Sequence, residues 1–278
     1  MEWTFRRRDE LTTLALPCVM GILNITSDSF YDPSRVVQES QIIEKCRLMI
    51  ADGATIIDIG GQSTRPGAQL VDEETEIQRV EQAIRAIRKE FPAILISVDT
   101  FRSVVLKAAH GAGADICNDV SAGMLDPLLI PTVAELGMPY ILMHMRGTPE
   151  TMQQSIFEGN IVTEVYRFFT EKIALLHAAG ISDIALDPGF GFGKSLEQNY
   201  QLLNRLSDFA TLGKPVLAGV SRKSMIQKVI GQNAEGALNG TTAVHCLALS
   251  RGAGILRVHD VKEAVEAVKI VSFTASCM

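Results

Sequence analysis

Short apolar, largely β-branched runs alternate along the chain with longer stretches whose apolar positions recur at helical spacing, the mark of parallel βαβ units. Eight runs are counted as strands: Val19 to Leu23, Ala54 to Ile59, Ile94 to Val98, Asp115 to Cys117, Tyr140 to Met143, Ile184 to Leu186, Val216 to Ala218 and Ile255 to Val258. Between the second and third, Glu73 to Lys89 places Ile77, Val80, Ile84 and Ile87 on one helical face with charges on the other, as a helix packed outside a sheet requires. Gly53, Gly113 and Gly180, each just ahead of a strand, read as C-caps of the preceding helices. The pattern predicts an α/β fold, a (β/α)8 TIM barrel, in which residues 1 to 16 form a hairpin or strand closing the barrel bottom. No Pro/Gly/Ser-rich linker interrupts it, so one domain over 1–278 is expected. A doubly wound open sheet is the alternative, but it usually carries Gly-x-Gly-x-x-Gly after its first strand, where this chain reads Gly21-Ile22-Leu23-Asn24.

Barrels take their chemistry from the carboxyl ends of the strands. The first polar side chains there are Asn24, Asp58, Asp99, Asn118, His144, Asp187, Ser221 with Lys223, and Arg257 with His259. Asp, Asn, Ser and Thr at such turns also cap helices, which is the competing reading for Asp99, Asn118 and Asp187. Asp260, with Glu263 three residues on, has the spacing of a cap pair and is left out of the site, and Ser103 or Thr100 is expected to cap the third helix. Arg257 and His259 are two apart on a strand, so both face the same side, and Ser221-Arg222-Lys223-Ser224 opens a helix after the seventh strand. Together they form an anion-binding cluster where barrels commonly hold phosphate. Salt bridging to an exposed carboxylate is the other reading for Arg222.

Composition narrows the partners. A net charge of -6 and a pI near 5.5 argue against a nucleic-acid or anionic-membrane surface, so an anionic ligand needs a local cluster. Arg6-Arg7-Arg8 is followed by Asp9-Glu10 rather than an apolar segment, so no secretion signal is read and a cytoplasmic protein is expected. No apolar run reaches the ~18 residues of a membrane span. The five cysteines are scattered without Cys-x-x-Cys, which points away from disulfides and thiolate zinc. His110, His177 and His245 fall within helical patterns and read as structural.

Two hydroxyl-rich loops, 26–34 and 60–68, read as mobile covers over the mouth, with plain surface loops as the alternative. Gly189-Phe190-Gly191-Phe192-Gly193-Lys194 lacks the Walker spacing and is a weak phosphate loop; its phenylalanines suit the wall of a flat aromatic ligand.

Taken together, MGILNITSDSF (20–30), DIGGQSTRPGA (58–68), SVDT (97–100), Asn118-Asp119, DPGFGFG (187–193), SRKS (221–224) and Arg257-Val258-His259 closely resemble the bacterial dihydropteroate synthase family, in order, from about residue 18 to residue 270. That resemblance implies condensation of 6-hydroxymethyl-7,8-dihydropterin pyrophosphate with 4-aminobenzoate, giving 7,8-dihydropteroate and pyrophosphate. It implies a pterin pocket of Asp99, Asn118, Asp187, Lys223 and Phe190, and pyrophosphate held by Asn24, Thr64, Arg65, Arg257 and His259, with Asn24 supplying an oxygen to Mg2+. It places 4-aminobenzoate at Ser224, Phe30, Pro66 and Phe190, names Asp99, Lys223, Arg257 and His259 as catalytic, and brings with it sulfonamide inhibition and a homodimer.

The chain departs from the family at Ser27, usually Pro; at Pro33-Ser34, usually Gly-Gly; and at Ala122, often Gly. A pterin-dependent methyltransferase would not need the Ser-Thr-Arg-Pro loop with the Arg-x-His pair, and a non-catalytic pterin-binding homologue would lose the anion cluster, which is present here.

Overall fold

The computed structural model describes residues 2–25, 35–62, 71–147 and 158–277. Two strands, β1 (Glu2–Arg7) and β2 (Glu10–Ala15), pair antiparallel as a hairpin. Eight more follow in parallel: β3 (Cys18–Asn24), β4 (Ile56–Gly60), β5 (Leu95–Asp99), β6 (Ile116–Asp119), β7 (Tyr140–Met143), β8 (Ile184–Asp187), β9 (Leu217–Ala218) and β10 (Ile255–Val258). Their order is β8-β7-β6-β5-β4-β3-β10-β9, and a parallel bridge between Leu186 and Val216 joins the two ends, closing the barrel. Each of the eight apolar runs corresponds to one barrel strand.

Helices α1 (Arg35–Ala51), α2 (Glu73–Glu90), α3 (Ser103–Ala112), α4 (Leu129–Leu136), α5 (Ile161–Ala178), α6 (Leu196–Asn204), α7 (Leu206–Ala210), α8 (Ser224–Ile230), α9 (Leu238–Ser250) and α10 (Val261–Ser276) lie between and after the strands. In α2 the buried positions Val80, Ala83, Ile84 and Ile87 follow the helical period, and the Asp72 side chain caps the first turn by accepting from the Thr75 N–H at 2.8 Å. The glycines at 53, 113 and 180 have φ of +103°, +122° and +87°, a backbone that only glycine enters without strain.

Strand periodicity divides the core in two. Outward residues such as Ile57, Val98, Leu142, Leu186 and Val258 pack with the helices in one large cluster. Inward residues Met20, Ile56, Leu95, Ile116, Ile141, Ala185, Leu217 and Ile255 form a second cluster with Trp3 and Phe5 of the hairpin. The hairpin therefore plugs the amino-terminal end of the barrel, as expected for residues 1–16. Asp115, whose side chain is fully buried, fastens it there by accepting from Arg7 at 3.0 Å, Arg88 at 2.7 Å and the Ile96 N–H at 2.9 Å.

Two cap expectations are corrected. Asp260 makes no side-chain cap on α10; its carboxylate takes the Arg222 guanidinium in two bonds of 2.8 Å, the salt bridge weighed for Arg222. Neither Ser103 nor Thr100 caps α3: Thr100 donates to buried Glu76 at 2.8 Å, and Asp126 accepts from the Ser103 N–H at 2.7 Å. Ala122, at φ +54°, holds a left-handed position in a turn clamped by Asp119, which accepts from the N–H groups of Ser121 and Gly123 at 2.7 and 2.6 Å.

Candidate active site

Two residues beyond six of the eight floor positions the inward side chain changes character, while Met20 and Ile141 are followed by apolar Ile22 and Met143. Ile56 gives way to Asp58, Leu95 to Ser97 and then Asp99, Ile116 to Asn118, Ala185 to Asp187, Leu217 to Gly219 and Ile255 to Arg257. Asn24, Gly60, Asp99 and Asn118 share one row of the parallel register across β3 to β6. The barrel thus folds an apolar floor under a polar mouth at the carboxyl ends of its strands.

Arg257 is the centre of the mouth. Its Nε donates to Asp58 Oδ2 and its Nη2 to Asp99 Oδ2, both at 2.6 Å. Burial disfavours the guanidinium charge, but Asp58 and Asp99 more than offset this and hold its pKa above the ordinary range. Asn118 Nδ2 donates to both Asp58 oxygens, at 3.3 and 3.1 Å. A carboxylate only accepts, so the amide nitrogen faces Asp58 and the Asn118 oxygen is left to accept from a ligand. Asp99 Oδ1 is buried with no hydrogen-bond partner, and burial raises the Asp99 pKa to about 7 against the pull of Arg257.

A second group lies across the mouth. Asp187 Oδ1 accepts from the Gly189 N–H at 2.7 Å, while a Cβ placed on inward-facing Gly219 would sit 3.7 Å from Asp187 Oδ2 and 3.9 Å from Lys223 Nζ. The missing side chain of Gly219 leaves a hollow with a carboxylate oxygen and an ammonium at its edge. Burial raises the Asp187 pKa, opposed by Lys223, and lowers that of Lys223 to about 8, opposed by Asp187. Lys223 Nζ also donates to the Phe190 carbonyl and lies 4.6 Å from the Phe192 ring centroid.

Gly60 plays the same part on the other side. A Cβ there would come within 3.3 Å of Asn24 Oδ1 and 3.8 Å of the Asp99 Cβ, so glycine keeps the Asn24 oxygen open. His259, at the exposed end of β10, has its Nδ1 3.0 Å from Ser221 Oγ. Ser224, the first residue of α8, is exposed. Among the described residues no group of three or more His, Cys, Asp and Glu side chains is arranged to hold a metal. A lone carboxamide oxygen suits a magnesium ion that takes its other ligands from phosphate and water.

The structure brings Asp99, Asn118, Asp187, Lys223 and Arg257 into one mouth, with Asn24 and His259 at its rim. Phe190 is placed otherwise than expected: its ring is fully buried in the outer core, and only its carbonyl takes part. Phe30, Thr64, Arg65 and Pro66, with Ser27 and Pro33-Ser34, lie outside the described residues. Sequence reasoning placed Asp58 at a strand end without giving it a role, and it passed over Gly60 and Gly219.

A carboxylate and ammonium around one hollow, beside an arginine-centred anion cluster in a closed barrel, define the mouth of a pterin-binding barrel enzyme. The model of the pterin binding enzyme family matches residues 20–259, and the chain belongs to that family. Dihydropteroate synthases are among its relatives. That of Escherichia coli (strain K12) is 45% identical over 265 residues, covering 95% of this chain and 93% of the relative, and that of Haemophilus influenzae is 41% identical, covering 95% and 96%. A solved Yersinia pestis dihydropteroate synthase with a sulfonamide drug superposes with a TM-score of 0.91 at 41% identity, covering 99% of this chain and all of that one. The Xanthomonas albilineans enzyme with 4-aminobenzoic acid superposes with a TM-score of 0.91 at 39% identity, covering 99% of each chain. Among the described residues no helix is long and apolar enough to cross a membrane.

Proposed function

We propose that this chain is a dihydropteroate synthase, a transferase that joins 6-hydroxymethyl-7,8-dihydropterin pyrophosphate to 4-aminobenzoate and releases pyrophosphate. The observation that carries this reading is the Gly219 hollow between Asp187 Oδ2 and Lys223 Nζ, in a chain 45% identical to the Escherichia coli enzyme. A pterin offers its 2-amino and N3–H groups as paired donors to Asp187, and its ring oxygen and N5 as acceptors to Lys223. Asn118 Oδ1 accepts from the same ring, and the face of Phe192, rather than of Phe190, walls it.

Pyrophosphate belongs to Asn24, Arg257 and His259, with Thr64 and Arg65 of the second loop. Arg257 spends two N–H groups on Asp58 and Asp99 and keeps the rest for the anion. A Mg2+ ion held by Asn24 and the pyrophosphate oxygens would supply charge neutralisation at the leaving group. The C–O bond breaks with its electron pair leaving on pyrophosphate, whose charge Arg257 and His259 stabilise. Asp99 faces the positive charge that spreads over the dihydropterin ring. The neutral arylamine forms the new C–N bond and gives its proton to solvent, so no covalent enzyme intermediate arises. Ser224, with Phe30 and Pro66, receives the aminobenzoate, and sulfonamides compete there.

One barrel domain over residues 1–278 carries this site. Exposed Val229, Ile230, Leu247, Ile270 and Phe273 on α8, α9 and α10 support a homodimer through those helices, and the reaction fits a cytoplasmic enzyme. The test is pyrophosphate release with Mg2+, the dihydropterin pyrophosphate and 4-aminobenzoate, repeated with each omitted, and the product weighed by mass spectrometry. Coupled release that needs all three and yields the mass of dihydropteroate supports the reading. Pyrophosphate release indifferent to 4-aminobenzoate overturns it.

A further inference from the structure

Lys194 follows the glycine-rich loop after β8, and nothing in the proposed reaction uses it. Its ammonium donates to three backbone carbonyls: His144 at 3.2 Å, Gly189 at 2.8 Å and Phe192 at 3.1 Å. The first belongs to the turn after β7 and the others to the loop after β8. An ammonium has three N–H donors, so none remains for a ligand. Burial lowers its pKa to about 7, with Asp187 opposing and Lys223 and Arg146 adding to the fall.

The loop it holds presents the pterin-facing groups. Gly189, Gly191 and Gly193 have φ of +68°, +83° and +65°, and in the loop they shape, the carbonyls of Gly189, Phe190 and Phe192 each meet a lysine. Between the two loop carbonyls bound by Lys194 lies that of Phe190, which accepts from Lys223. The Gly189 N–H bonds Asp187. Asn199 secures the outer side, accepting from the Gly191 N–H at 2.7 Å. The Gly189 carbonyl also accepts from the Phe192 N–H at 3.2 Å, but without a cation at their centre the His144 and Phe192 carbonyls would lose their donor and the turn after β7 would lose its tie to the loop after β8.

We infer that Lys194 is a positioning residue for the pterin pocket: by tying the loop after β8 to the turn after β7 it sets the Phe190 carbonyl that holds Lys223 beside Asp187. The inference rests on the pterin reading above. A role exerted through Lys223 has a signature that a general structural role lacks, since losses from the two lysines do not multiply.

The experiment is a double-mutant cycle of Lys194→Met and Lys223→Ala, with the dissociation constant for 6-hydroxymethylpterin read by calorimetry and folding by thermal melts. Lys194→Met should weaken binding by about tenfold or more, and the double variant should bind no more than about twofold worse than Lys223→Ala. Losses that multiply, or undiminished binding by Lys194→Met, overturn the inference. If Lys194→Met does not fold, the cycle is run with Lys194→Gln, which keeps two donors; if neither folds, the lysine serves the fold and the inference fails. Wild-type protein that binds no pterin overturns the functional reading and this inference with it, whereas wild-type binding with multiplied losses overturns this inference alone.

Discussion

Replacing Asp58 with asparagine keeps the side-chain volume and removes one charge, so no cavity confuses the result. The Asp58 side chain is fully buried and accepts from Arg257 at 2.6 Å and from Asn118 at 3.1 and 3.3 Å. An asparagine has one accepting oxygen, so its amide must turn N–H groups toward either the guanidinium or the Asn118 amide. One charge-assisted bond is lost, about 1.5–3 kcal/mol, and one donor is left unpaired, about 1–3 kcal/mol. Truncating a buried ion pair costs about 3–5 kcal/mol, but the Arg257 side chain is 20% exposed and still holds Asp99, which favours the lower end, about 3 kcal/mol. For a chain of this size that is a fall in unfolding midpoint on the order of 5–10 °C.

The catalytic consequence is separate. Arg257 must meet pyrophosphate while held from two sides, and a guanidinium misplaced by about 1 Å costs about 100-fold in rate. Asp58→Asn should therefore lower kcat/KM about 100-fold, measured by coupled pyrophosphate release at a temperature where melts show the variant folded. A midpoint within 1–2 °C of wild type together with kcat/KM within about twofold would refute the role given to Asp58.

Three further outcomes are expected. Lys223→Ala and Asp187→Ala should each weaken pterin binding by about tenfold to a hundredfold with the melting transition retained, and normal calorimetric binding by either counts against the pocket. Pterin affinity should fall with pH above about 7, as Lys194 and then, near 8, Lys223 lose their protons, by up to about tenfold per unit, and this limb should vanish in Lys223→Met, through which both lysines act. Stability moves the other way: the pKa of Lys223 is lowered by folding, so the cost of burying its charge is full below about pH 8 and is relieved as pH rises toward its ordinary 10.5. A parallel fall of binding and stability above pH 8 would mean general unfolding instead. Ala122→Gly should relieve about 1–2 kcal/mol of left-handed strain at φ +54° against about 0.4–1 kcal/mol of added unfolded-state entropy, raising the midpoint by about 1–3 °C; a fall contradicts the strain account.

The barrel and most of its mouth were legible because one periodicity writes both. Apolar runs mark strands, and the polar residue that ends a run faces the way its inward apolar neighbour faces two positions earlier, as Ile116 and Asn118 or Ile255 and Arg257 show. What stayed hidden depends on partners distant in sequence or on atoms that are missing. Asp58 meets Arg257 from 199 positions away, and nothing local to DIGG distinguishes a carboxylate that binds substrate from one that aims an arginine. Asp260 failed as a cap because Arg222, from the turn before α8, reaches it with a bidentate bond that one backbone N–H does not match. Phe190 was misplaced because the period of two stops at Asp187: left-handed Gly189 and Gly191 reset the direction of each residue between them, sending the Phe190 ring outward and its carbonyl in. Gly60 and Gly219 act by carrying no side chain. A glycine at an inward strand position reads from sequence as a weak point in the strand, yet in a barrel whose interior is otherwise filled by side chains it is the means of making room for a ligand.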